Sequence, residues 1–227
     1  MNSYRKTGII VGVLFIVATV TSILSLLFLG STLDTLNLTT ISLNQNQMII
    51  AVIFELIVAV SVFSIGFMMF SILKKYSESL ALSYVGIRLI EAVFILIASL
   101  SLISLLTISQ QYVVGSLDST IPGSLLLVLR DWSLVIGTLI FLGLGGLSLN
   151  YILYQSKLIP RWLSAWGLIG AAMVLLYGLL SLFSFSTDLM LTLNLLAAPI
   201  ALQEMVFAVW LIVKGFNPSA IDSGSVK

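Results

Sequence analysis

Six ionisable side chains stand inside apolar stretches of this chain: Glu55, Arg88, Glu91, Arg130, Asp131 and Glu204. Charge in hydrocarbon is costly and is kept where it faces a bundle interior, a cavity or a pathway, so these residues mark the centre of any activity. A carboxylate can hold a proton, an amine or a cation, and a guanidinium can hold an oxyanion or a phosphate. Four acids against two arginines leave a formal surplus of two negative charges, which needs a bound proton, metal ion or amine to balance it in a low-dielectric region.

The spacing of these groups gives them faces. Tyr84, Arg88 and Glu91 fall at i, i+4 and i+7, on one side of a helix, so Arg88 and Glu91 can pair. Counted from a helix edge near residue 81, Arg88 lies roughly 10 Å and Glu91 roughly 15 Å deep. Glu204 shares a stripe with Asn194, Ala197, Ala201 and Ala208, beside Gln203. Glu55 lies about 10 Å below the opposite edge, with Arg130 and Asp131 at similar depth. The candidate ligand-binding set is therefore Glu55, Tyr84, Arg88, Glu91, Arg130, Asp131, Gln203 and Glu204. Two blander readings compete: the pairs only tie helices together, or Arg130-Asp131 anchors with Trp132 at the membrane interface.

The elements that carry these groups are membrane spans. The 227 residues are 59% hydrophobic and 8% charged, with a mean hydropathy of +1.19, against about 25% charged residues in soluble domains. Six apolar stretches, about 8–29, 48–73, 81–107, 124–154, 163–183 and 192–214, reach the ~20 residues a bilayer requires. The expected fold is all-α, a polytopic integral membrane protein: one domain over 1–227, a compact bundle of six transmembrane helices. The first stretch exceeds a signal-peptide core and is expected to be retained. Arg5, Lys6, Lys74, Lys75, Lys157, Arg161, Lys214 and Lys227 alternate with loops holding only Asp34, Asp118 and Asp188, which places both termini in the cytoplasm. Trp162, Trp166 and Tyr76 are expected as belt residues. Loops are too short for a separate soluble domain.

Composition also excludes. With no histidine and no cysteine, the usual zinc, haem, iron–sulfur and Ser-His or Cys nucleophile chemistries lack their residues, and no cofactor is expected. The net charge of +1, without a basic cluster, speaks against nucleic acid. Gly8-x-x-x-Gly12, Gly167-x-x-x-Ala171 and Gly143, Gly145 and Gly146 predict close helix contacts. Pro199 inside the sixth stretch predicts a kink. Asn37-Leu38-Thr39 matches a glycosylation acceptor and carries no weight. Glu91-Ala92-Val93-Phe94 is echoed by Glu204-Met205-Val206-Phe207, as an inverted three-plus-three repeat would produce.

Arg88-Leu89-Ile90-Glu91-Ala92, Leu129-Arg130-Asp131-Trp132, Pro160-Arg161-Trp162-Leu163-Ser164 through Gly167, and Pro199-Ile200-Ala201-Leu202-Gln203-Glu204-Met205 through Lys214-Gly215-Phe216 resemble the bacterial membrane family called domain of unknown function 4386. The resemblance runs over almost the whole chain. It implies a single-domain inner-membrane protein of about six helices, without an assigned activity, substrate or catalytic residues.

Three functions follow as expectations. The first is binding or transport of a small amphipathic or cationic molecule, or a lipid, in an intramembrane polar pocket where Glu91 and Glu204 meet the positive group. The second is a membrane enzyme using Glu and Arg, disfavoured by the missing histidine; aspartyl protease chemistry would need a second intramembrane aspartate. The third is a structural or assembly partner of another membrane protein. The bilayer is the certain partner on this reading, and a homo-oligomer stays open.

Overall fold

The computed structural model describes residues 3–33, 36–116, 121–183 and 195–224. Its elements, in order, are α1 (Ser3–Leu29), α2 (Leu38–Leu43), α3 (Gln45–Leu73), α4 (Glu78–Val113), α5 (Ile121–Leu134), a π-helical segment (Val135–Phe141), α6 (Leu142–Ser156), α7 (Arg161–Ser181), a 3₁₀ turn (Leu195–Ala197), α8 (Ala198–Val213) and α9 (Pro218–Gly224). Among the described residues six helices are long and apolar enough to cross a membrane; α5, the π segment and α6 form one of them, Ile121–Ser156, and the 3₁₀ turn and α8 another. The expected stretches match these spans, apart from 192–194, which with Asn194, Asp34, Asp118, Asp188 and Lys227 lie outside the described residues.

The ends of the helices have local causes. The Ser77 hydroxyl accepts from Leu80 N–H at 3.4 Å and starts α4. Lys157 takes a left-handed conformation (φ 55°) after α6, and Pro160 stands before α7, so the chain reverses between the two. One expectation fails here. Pro199 does not kink a helix interior: it falls in the first turn of α8, where its missing N–H and fixed φ cost nothing. The connection between α1 and α3 contains the short helix α2, capped by Asn37, whose side chain accepts from Thr40 N–H at 3.1 Å.

The distribution of side chains suits a bundle that faces hydrocarbon. Phe67 and Leu100 are each 66% exposed, whereas Arg88 and Glu91 are 2% and 3% exposed. Exposed leucines over buried charge invert the soluble pattern, as expected where hydrocarbon is the solvent and polar groups must find partners inside. Small residues set the closest helix contacts. A Cβ at Gly12 of α1 would stand 2.6 Å from the Ala208 carbonyl oxygen of α8, and one at Gly146 would stand 2.9 Å from Ala171 Cβ of α7.

The basic residues collect at one end. Arg5 of α1 donates to the carbonyls of Leu211 (2.7 Å), Ile212 (2.5 Å) and Val213 (3.1 Å), closing the C-terminus of α8. The Lys75 ammonium lies 4.4 Å from the Tyr4 ring centroid. Asn217 N–H donates to Leu158 O at 2.9 Å, drawing the C-terminal segment onto the α6–α7 turn. The Tyr76 hydroxyl donates to Ala220 O at 2.6 Å, a tertiary contact the sequence did not suggest. Trp162 is 56% exposed and stacks on Trp166.

Candidate functional site

Two buried ionic centres stand in the bundle. In the first, α4 presents Tyr84, Arg88 and Glu91 on one face, and α8 brings Glu204 against the same guanidinium. Arg88 Nη1 donates to both Glu91 oxygens (3.1 and 3.0 Å), Nη2 to Glu204 Oε1 (3.3 Å) and Nε to the Tyr84 hydroxyl (3.0 Å). The guanidinium carbon lies 5.7 Å from the Phe15 ring centroid and 5.5 Å from that of Tyr84, so the arginine is also held between aromatic rings. Room for it comes from Gly66 of α3, where a Cβ would stand 2.9 Å from Arg88 Cβ, and from Gly145 of α6.

The second centre joins α1, α3, α4 and α5. Arg130 Nη2 donates to Glu55 Oε1 at 2.5 Å, and Nη1 to Glu55 Oε2 and to the Ala98 carbonyl, both at 3.2 Å. Ser25 donates to Oε1 at 3.3 Å and Ser99 to Oε2 at 2.7 Å. Glu55 and Arg130 are 6% and 3% exposed. The carboxylate is thus met by a two-armed guanidinium and two hydroxyls, a strong, geometrically fixed form of ion pair. Glu91 and Ser99 are eight residues apart on α4, so the centres stand roughly 12 Å apart along the bundle.

Between them lies the π-helical segment. Thr138 of this segment and Leu134 just before it line a cavity of about 230 Å³, together with Ser22, Ser25, Glu55 and Arg130. A Cβ at Gly137 would stand 2.6 Å from Phe94 Cβ and 3.5 Å from the Glu91 carbonyl, so the segment also packs against the first centre. The widened turn lets one side chain more than an α-helix would allow stand over this stretch, a feature frequent at functional sites. Leu26, on the cavity rim, is 65% exposed, so the cavity reaches the bundle surface.

The sequence-predicted residues are therefore sorted. Tyr84, Arg88, Glu91 and Glu204 come together; Glu55 and Arg130 come together elsewhere. Gln203 joins neither, donating instead to Leu163 O (3.3 Å) and Asn150 Oδ1 (3.4 Å). Asp131 is exposed on α5: a residue next to a buried one on a helix points about 100° away, and Arg130 takes the inward position. The interior surplus is then one negative charge, from Glu55, Glu91 and Glu204 against Arg88 and Arg130. Among the described residues no group of three His, Cys, Asp or Glu side chains could hold a metal ion.

Sequence reading passed over Ser25, Ser99, Thr138, Asn150 and Phe15. Ser99 was within reach, because it continues the Tyr84, Arg88, Glu91, Ile95 stripe by one turn. Ser25 and Thr138 carry no such signal, since isolated hydroxyls in membrane helices commonly bond their own backbone, as Ser133 and Ser181 do here.

Six candidate spans enclosing two buried ionic centres suggest a multi-pass membrane protein. The sequence model of the family described as domain of unknown function (DUF4386) matches residues 10–215, and the chain belongs to that family. Comparison with curated proteins and with solved structures finds no match.

Proposed function

We propose that the protein sits in the bacterial inner membrane with both termini in the cytoplasm and binds or carries a small amphipathic molecule or lipid in its intramembrane cavity. The observation that carries this reading is the pairing of the Glu55–Arg130 centre with an open space of about 230 Å³ that reaches the bundle surface. Its wall is mostly apolar but offers the hydroxyls of Ser22, Ser25 and Thr138 beside a neutral ion pair. An apolar site with a few convergent polar groups is the usual form of a ligand pocket. The volume lies below the roughly 300–1,000 Å³ of drug-sized sites, which favours a polar headgroup or short amphiphile.

The Arg88 centre supports a different role. Arg88 stands between Glu91 and Glu204, where a cationic ligand would have stood, and closes α4 on α8 as an internal tie. The charge-neutral outer centre likewise favours a neutral or zwitterionic group over a bare cation.

A photoreactive diazirine amphiphile tests the proposal. Labelling of the purified protein should map to residues 22–26 and 134–138. Ser22→Phe, which fills the cavity without touching the ion pair, should abolish it. Uniform labelling of all lipid-facing helices, or labelling unchanged in Ser22→Phe, would overturn the reading.

A further inference from the structure

At the opposite end of the bundle from the Glu55 cavity, the α6–α7 turn, the end of α8 and the C-terminal segment enclose a cavity of about 500 Å³. Lys157, Arg161 and Lys214 line it, with Trp210 and Phe216, and among the described residues no acidic side chain does. All three cations are exposed, and none forms a salt bridge among the described residues. The cavity also includes Pro160, at the start of α7, where the helix dipole adds positive potential.

A second, almost wholly apolar groove of about 420 Å³ begins where this cup ends. Met205, Val206, Val209, Trp210, Val213 and Lys214 line it, so Trp210 and Lys214 belong to both. From Lys214 to Met205 the groove descends nine residues of α8, roughly 13 Å. That is close to the ~15 Å half-thickness of a hydrocarbon core. Val209 and Val213 are 54% and 62% exposed.

We propose that this face binds one anionic glycerophospholipid, its phosphate in the Lys157–Arg161–Lys214 cup and an acyl chain along α8 from Val213 to Met205. Basic loops at this end are accounted for by topology alone. A cup lined by three cations, continuous at an interfacial tryptophan with an acyl-sized groove, is not. The two halves match the two halves of such a lipid in charge and in length. Zwitterionic lipids could fill the groove but would gain far less from the cup.

Native mass spectrometry of the full chain in a neutral detergent, titrated with phosphatidylglycerol or phosphatidylcholine of matched chains, tests this. Phosphatidylglycerol should bind roughly tenfold or more tightly, since each cation near the headgroup is worth about fivefold. Lys157→Gln/Arg161→Gln/Lys214→Gln should erase that preference. Val209→Trp, which obstructs the groove, should weaken both lipids while keeping their ratio. Wild-type binding of the two lipids with equal affinity would overturn the proposal without any variant. So would a preference surviving the triple change, or displacement of phosphatidylglycerol by inorganic phosphate with Val209→Trp binding as the wild type does, which would make the cup a site for a soluble anion. Salt should lower the phosphatidylglycerol affinity of the wild type, and salt-independent binding counts against the proposal as well.

Discussion

Replacing Arg130 by methionine removes the guanidinium that neutralises Glu55 but keeps much of the side chain's bulk. Glu55 would retain only the Ser25 and Ser99 hydroxyls, at 3.3 and 2.7 Å, in a site where it is 6% exposed. The Ala98 carbonyl would also lose its 3.2 Å donor. Removing one partner of a buried pair costs about 3–5 kcal/mol, because it strands the other charge. Removing both is a different perturbation: Glu55→Leu with Arg130→Met leaves two apolar groups of similar volume, and such replacements are close to neutral or stabilising. The double variant should therefore be more stable than Arg130→Met by about 2 kcal/mol or more. The assay is reversible unfolding in mixed micelles by titration with a denaturing detergent, read by tryptophan fluorescence, over the wild type, both single variants and the double variant. An Arg130→Met variant within about 1 kcal/mol of wild type would mean that water reaches the pair. A double variant as unstable as the sum of the singles would mean that the groups do not couple. Either result refutes the description of a buried, mutually neutralising pair.

Three further outcomes follow from named contacts. Glu91→Gln should destabilise by about 1.5–3 kcal/mol, the worth of hydrogen bonds to a charged group, because Arg88 keeps Glu204, whereas Glu204→Gln should stay within about 1 kcal/mol of wild type in the same titration. Glu91 meets Arg88 with both oxygens at 4% side-chain exposure, while Glu204 makes one 3.3 Å contact at 17%; the reverse order would contradict this. Gly66→Ala places a methyl 2.9 Å from Arg88 Cβ, and overpacking of this kind costs about 1–3 kcal/mol, measured as a lowered midpoint. Tyr76→Phe should free the C-terminal helix at a cost of about 1 kcal/mol, seen as faster backbone hydrogen exchange around Ala220. Burial raises the Tyr76 phenol above its ordinary value of 10.0. The fold therefore favours the protonated form, and its contribution is complete below that value and fades as pH rises past it; Tyr76→Phe should remove this alkaline sensitivity.

The chain's own sequence determined the spans and the identity of the buried charges, because both are local and energetic. Twenty apolar residues in a row can only cross hydrocarbon or be buried, and an ionised group among them must face inward or find a partner. The i, i+4, i+7 spacing was enough to place Tyr84, Arg88 and Glu91 on one face, as found. Tertiary structure alone decided the pairing. Nothing along the sequence says that Glu204 shares Arg88, that Glu55 answers Arg130 across 75 residues, or that Asp131 turns outward while its neighbour turns in. Those outcomes depend on how helices rotate and cross, which small residues such as Gly12, Gly66 and Gly146 set through contacts with distant segments. The π-helical segment is the sharpest case: one extra residue in a turn is invisible to helical periodicity. It is held where Phe94 of α4 packs on Gly137 and where Leu139 and Ile140 of the segment pack on Gly178 of α7, and it puts Thr138 beside the Glu55–Arg130 pair.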